Sequence, residues 1–353
     1  MITTRIPSIA AGILVTALVA AAVAQKSEAP ATLDAKARTE VIDGAIDHLR
    51  RAYIFADVAE KMAKQLQDNT GSGAYDAIAD PAEFAKRLTA DLQSVSGDKH
   101  LRILYSSEPA ARRGPPTAED RARAEADARR RNHGFERVER LDGNVGYIDL
   151  RGFSGSPEAT PTGEAAMNFV ANTDALIFDL RRNGGGSPAM IRTLSSYLFD
   201  RVVHLNDFYI RETDTRRQFF TAEQVTGQRY GPDKPVYVLI SNRTFSAAEE
   251  FTYNLKNLKR ATIVGETSGG GAHPGGVRQI TAHFGIWLPN GRAINPITGT
   301  NWEGVGVEPD IKVPAEQALA AAHIEALKKI RAGATDAAHQ KALDAAIANV
   351  QKG

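Results

Sequence analysis

The sequence contains no cysteine, so it can build no disulfide framework, no thiolate metal site and no lipid anchor on an N-terminal cysteine. It has almost no excess of charge either: 43 Lys and Arg stand against 42 Asp and Glu, a formal net charge of +1. Without a bulk positive field there is no electrostatic reason to expect nucleic acid as a partner. There is no H-E-x-x-H and no paired His/carboxylate spacing of a metal site, so neither a metal nor a cofactor is expected.

Long apolar runs are missing with one exception. Ser8 to Val23 is almost entirely apolar or small, follows Arg5, and ends in Ala22-Val23-Ala24 before the polar Gln25-Lys26-Ser27. A positive start, a short apolar stretch and a small-x-small site are what signal peptidase reads. The stretch is shorter than the roughly 20 residues of a spanning helix. Residues 1–24 are therefore expected to be a signal peptide cleaved near Ala24, with a periplasmic or secreted product and no stable membrane span.

What remains of the 353 residues suits two domains, or one large domain with additions, at about 150 residues per domain. Residues 25–107 read as a helical subdomain. Val41, Ile42, Ala45, Ile46, Leu49 and Tyr53 recur at helical spacing, as do Val58, Met62 and Leu66. Asp80-Pro81-Ala82-Glu83 opens a third helix with a cap, a proline in the first turn and an acid at the third position; Phe84, Leu88 and Leu92 form its apolar face and Gly97 ends it. Residues 108–140 are a charged linker or helix, in which Gly114-Pro115-Pro116 precedes mixed acidic and basic residues; the run Arg129-Arg130-Arg131 is diluted by acids and reads as a solvated surface.

From residue 141 to 314 the texture becomes α/β. Val145–Leu150, Ala175–Leu180, Pro235–Ile240 and Ala261–Val264 read as strands, alternating with helices at Pro188–Leu198 and Ala247–Leu258. Asn290-Gly291 within Leu288–Arg292 predicts a hairpin turn. Residues 315–353 form an Ala-rich helical tail.

Three segments can carry chemistry. Ser246 follows a strand and opens a helix, where the dipole and free N–H groups stabilise developing negative charge. The same Ser246-Ala247-Ala248-Glu249 is also a capping box, so local sequence alone favours a structural serine. Asp179-Leu180-Arg181-Arg182-Asn183-Gly184-Gly185-Gly186 leaves a strand with three glycines able to present N–H groups, as an anion cradle or oxyanion hole requires. It is neither a Walker loop nor a dinucleotide fingerprint. A second glycine-rich loop, Gly265–Gly276, follows another strand. A nucleophilic serine needs a base. Of eight histidines, His48, His323 and His339 sit on helical segments, His133 in the charged stretch, and His204 and His283 in strand-like or irregular segments; His100 and His273 remain, and spacing cannot choose between them.

Together, Asp179–Gly186, Thr244-Phe245-Ser246-Ala247-Ala248-Glu249, Gly265-Glu266-Thr267 and Gly306-Val307-Glu308-Pro309-Asp310 resemble the family of tail-specific and C-terminal-processing proteases, tricorn core protease and interphotoreceptor retinoid-binding protein. The resemblance runs from Gly146 to about Val313. It implies an α/β fold with a ClpP/crotonase-like β-β-α core beside the N-terminal three-helix subdomain. It also implies a serine peptidase acting on peptide or unfolded protein, with Ser246 as nucleophile. The processing proteases carry a lysine in the loop after the Gly-Glu strand end, where this chain has Thr267-Ser268-Gly269-Gly270-Gly271, so the Ser/Lys dyad is absent. The tricorn-like branch implies His100 as general base and Glu303 as the group orienting the relay, with N–H groups of Gly185 or Gly186 and of Ala247 as oxyanion hole. Lys99 stands where that branch has a serine before its histidine. His273 is the reserve base. No room exists for a PDZ domain in residues 108–140, which favours the retinoid-binding branch and with it a second reading, a non-catalytic carrier of hydrophobic ligands.

Overall fold

A computed structural model describes residues 32–110 and 117–352; the signal-peptide segment and Gly114-Pro115-Pro116 lie outside them. The N-terminal unit begins with α1 (Ala35–Ala52), α2 (Ala56–Gly71) and α3 (Pro81–Ser96), followed by the short strand β1 (Arg102–Tyr105). Their ends follow from local chemistry. Asp34 and Asp80 accept from Ala37 and Glu83 N–H at the starts of α1 and α3, and Gly97 takes a left-handed conformation to end α3. The apolar faces read from spacing meet in one core containing Val41, Leu49, Met62, Leu66, Phe84 and Leu88.

The charged stretch is structured: Ala118–Arg130 forms α4, capped by Thr117, with no buried residue. Phe135–Leu141 is already a strand, β2, so the main sheet starts inside the segment expected to be linker. The chain continues through β3 (Val145–Leu150), α5 (Thr160–Val170), β4 (Ala175–Asp179), α6 (Pro188–Ser196), β5 (His204–Ile210), β6 (Thr215–Phe220), β7 (Val236–Ile240), α7 (Ala247–Asn257) and β8 (Thr262–Gly265). It ends with β9 (Gly275–Gln279), β10 (Phe284–Pro289), β11 (Gly291–Ile294), β12 (Ile311–Lys312), α8 (Ala318–Gly333) and α9 (Ala337–Lys352).

Six strands form the central sheet in the order β12-β8-β7-β4-β3-β2, parallel except for the β2–β3 pair at one edge. Strand alternation sends neighbouring side chains to opposite faces. Phe178, Val238 and Ile240 pack with Met167, Leu194 and Phe251 of α5, α6 and α7, whereas Ile177, Tyr237 and Leu239 pack with Ala322, Ala326 and Leu327 of α8. Both faces are covered, which is why these strands are unbroken apolar runs.

The hairpin expected through Asn290-Gly291 does not form. β10 pairs with β1 and β9, while β11 pairs with β5, so Asn290 passes the chain from one three-stranded sheet to another. The β10 residues Phe284, Ile286 and Leu288 are buried in the N-terminal core, so strands from the second half of the sequence complete the unit begun by α1–α3.

One buried group in α7 works against stability. Glu250 is enclosed, and burial pushes its carboxyl up to about 8 against the opposing influence of nearby Asn206. Folding thus favours its protonated form: the contribution is intact below the unfolded value near 4.5 and is lost as pH rises towards 8. Glu250→Gln should therefore melt at a higher temperature than the parent at pH 9, by roughly 2–4 °C for each kcal/mol recovered. Thermal scans across pH should show that gap closing towards pH 4.5.

Candidate active site

Ser246 sits where β7 ends and α7 begins, with φ 55° and ψ −121°, a conformation that costs a non-glycine residue about 1–3 kcal/mol. The turn is held from both sides. Thr244 Oγ donates to Leu180 O, Ser241 Oγ to Arg181 O, and Phe245 N–H to Asn183 O, which stitches the serine loop to the glycine loop after β4. Asp179 fixes the base of that second loop, accepting from Tyr147 Oη and from Nε and Nη2 of Arg181. The Arg181 charge and these hydrogen bonds hold the Asp179 carboxyl below its ordinary value despite burial.

The Glu249 carboxylate organises the other side. It accepts from Ser246 N–H at 2.8 Å, from Gly271 N–H at 2.9 Å, from Gly270 N–H at 2.6 Å and from Ser268 Oγ. The capping box expected at Ser246–Glu249 is present, and its glutamate reaches further, into the loop after β8. Burial raises the Glu249 pKa and the four donors pull it back.

Gly185 and Ala247 lie against Ser246, and the next residue, Gly186, packs on the backbone of Phe153. A Cβ placed on Gly185 would lie 2.8 Å from Ser246 Cβ and 3.0 Å from Ala247 N, and its φ is +111°. The Gly185 N–H donates to Asn183 Oδ1 at 2.9 Å and is thereby taken. Ala247 N–H, in the first turn of α7, has no helical partner, and Gly186 is exposed at the loop tip.

His100 lies just before β1, buried, its ring 4.5 Å from that of Phe245 and tilted by 39°. The ring makes no hydrogen bond, and Nδ1 is buried without a partner. Burial lowers its pKa to about 4, outweighing the opposite pull of Asp98. Gly271 is packed against it: a Cβ there would meet Phe245 at 2.2 Å and His100 Cε1 at 2.7 Å. Lys99 turns outward and its ammonium donates to Gly269 O.

His273 and Glu303 meet elsewhere. His273 Nδ1 is 2.8 Å from Asp98 Oδ2 and 3.6 Å from Glu303 Oε2, which also accepts from Ala272 N–H. No hydrogen bond or ion pair joins Glu303 to His100. Burial is the main reason why Glu303 is pushed up to about 7, with Asp98 adding to it. Nothing in the sequence singles out Asp98, whose Oδ1 accepts from His100 N–H at 3.0 Å. Of the remaining histidines, His323 is buried and bonds Asp142 O, against the expectation of a solvated side chain.

This packing separates two glycine substitutions. Gly184 has open space at its Cβ position, so Gly184→Ala should leave the melting temperature and turnover near the parent's. Gly185→Ala should cost about 1–3 kcal/mol and displace Ser246. Glu249→Gln should be more damaging, by about 3–5 kcal/mol, because an amide N–H₂ would face donors. Chemical denaturation of the three variants measures the stability differences, and an assay of each variant beside the parent measures turnover.

Comparison with known proteins accords with the geometry. Residues 144–313 match the model of peptidase family S41, and residues 25–135 match the N-terminal domain of that family in eukaryotic IRBP. A carboxyl-terminal-processing peptidase of Arabidopsis thaliana chloroplasts is 26% identical over 170 residues, 48% of this chain and 32% of that protein. The carboxy-terminal-processing protease of Bartonella bacilliformis is 27% identical over 187 residues, 49% of this chain and 40% of the relative. The match thus spans well under half the length of these relatives. A lipoprotein from Streptococcus agalactiae superposes with a TM-score of 0.53 at 15% identity, over 83% of this chain and 96% of that one, a likeness of fold. With its N-terminal unit and its central sheet each matched by a model of that family, the chain belongs to peptidase family S41.

Proposed function

We propose that this chain is an exported serine peptidase in which Ser246 is the nucleophile and His100 the general base. The observation that carries the reading is the strained turn at Ser246, set at the N-terminus of α7 with the glycine loop packed against it. A structural cap needs no such conformation, since cap residues ordinarily sit in the extended region.

Ser246 Oγ attacks the peptide carbonyl while His100 takes its proton. The oxyanion rests on the N–H groups of Ala247 and Gly186, with the α7 dipole behind it; Gly185 contributes close approach, its own N–H being occupied. His100 then protonates the leaving amine, and water, deprotonated by the same imidazole, hydrolyses the acyl-enzyme. Burial keeps the His100 imidazole neutral, the form in which a base must start, although the same burial disfavours the imidazolium until the oxyanion forms beside it. His100 is favoured because its ring lies against Phe245, the residue before Ser246; His273, whose Nδ1 is oriented by Asp98 with Nε2 left over, stays the reserve base. Glu303 acts through the loop: it holds Ala272 N–H, next to the Gly271 that abuts His100. The substrate is peptide or unfolded protein, and export rests on the apolar segment before Gln25.

Protein from Gln25 onward, incubated with an unfolded protein and read by mass spectrometry, tests this. Wild type should cut, and Ser246→Ala and His100→Ala should each lose about 10³-fold or more in turnover. His273→Ala should keep turnover within about tenfold. Full activity in His100→Ala would sink the base assignment, and full activity in Ser246→Ala the reading as a whole.

A further inference from the structure

Asp98, His273 and Glu303 come from three distant parts of the chain and bring three ligating atoms within 4.8 Å of one another. Asp98 and His273 are almost wholly buried, and the Glu303 side chain is 16% exposed. Two carboxylates therefore share one imidazole, and no lysine or arginine among the described residues pairs with either. Glu303 Oε1 is buried with no partner at all. The proposed hydrolysis uses Glu303 through Oε2 on Ala272 N–H and leaves its Oε1 without a task.

We propose that Asp98, His273 and Glu303 form a binding site for a divalent transition-metal cation of the zinc type. The ligands would be Asp98 Oδ2, His273 Nδ1 and Glu303 Oε2. One imidazole and two carboxylates with a fourth position left for water suit tetrahedral Zn²⁺, whose bonds to nitrogen and oxygen are about 2.0–2.2 Å. Ligand atoms around such an ion lie roughly 3.3–3.6 Å apart. The His273–Glu303 separation of 3.6 Å already fits, and the Asp98–His273 pair, now a 2.8 Å hydrogen bond, opens by a few tenths of an ångström. His273 would bind the metal through Nδ1 as the Nε2–H tautomer, so the ring proton moves from Nδ1 to Nε2 on binding. Outer partners orient the ligands: His100 N–H on Asp98 Oδ1, Tyr53 Oη on Asp98 Oδ2 and Ala272 N–H on Glu303.

The consequence for activity rests on the proposed peptidase reading, whereas metal binding itself does not. Asp98 holds the backbone of His100, and Glu303 holds the residue beside Gly271, which lies against the His100 ring. A cation drawing both carboxylates together shifts the base from two sides and suppresses hydrolysis reversibly.

The test uses chelator-treated protein from Gln25 onward in equilibrium dialysis against micromolar ZnCl₂, with bound metal measured by mass spectrometry. Wild type should bind one Zn²⁺ per chain. His273→Ala should lose it, Asp98→Asn should bind at least about tenfold more weakly, and the exposed-histidine variant His339→Ala should bind as wild type does. Co²⁺ added to unaltered wild-type protein should give the strong visible absorption of a tetrahedral site, a readout independent of whether the variants fold. No bound Zn²⁺ in wild type, equal binding in folded His273→Ala, or a weak octahedral Co²⁺ spectrum would each overturn the proposal. Inactivity of the protein as a peptidase would leave every one of these readouts standing.

Discussion

The site depends on one carboxylate that takes no part in the chemistry. Glu249 accepts four hydrogen bonds, all from groups that can only donate to it: the N–H groups of Ser246, Gly270 and Gly271 and the Ser268 hydroxyl. A buried anion is costly unless such donors satisfy it. The three backbone N–H groups among these donors, lying outside regular ladders, would also be costly without an acceptor. Each side therefore stabilises the other, and the turn carrying Ser246 is locked to the loop that ends at His273. The positive φ of Ser246 persists because this arrangement over-determines it.

A second constraint brings His100 to the same place. The residue belongs by sequence to the helical unit, yet it lies immediately before β1, which pairs antiparallel with β10 from Arg102 opposite Trp287 to Tyr105 opposite Phe284. β10 in turn pairs with β9, which leaves the His273 loop. The three helices alone do not close their core; Ile286 and Leu288 do. Burial of apolar surface at this junction thus sets the position of His100 relative to the turn that carries Ser246.

What was legible in the sequence is what local chemistry decides. Asp80, Pro81 and Gly97 bounded α3 because caps and a left-handed stop act within a turn. The apolar runs of β4 and β7 announced a sheet covered on both faces. The Asn290-Gly291 signal failed because a turn dipeptide does not say which neighbour a strand pairs with; that was settled by the pairing of β11 with β5. β2 was hidden because, as an edge strand, it carries charged residues on its exposed side, Arg137 and Glu139 among them.

The least legible part is the contact set of Asp98, since Asp98 and His273 are 175 positions apart. Asp98 touches both histidines that the sequence left as candidate bases, through the backbone of His100 and the ring of His273. One aspartate thus ties together two rings that are held differently: His273 has its Nδ1 on a buried carboxylate, while His100 is pressed between Phe245 and Gly271 with its Nδ1 unpartnered. No pattern of spacing along the chain could have expressed that difference.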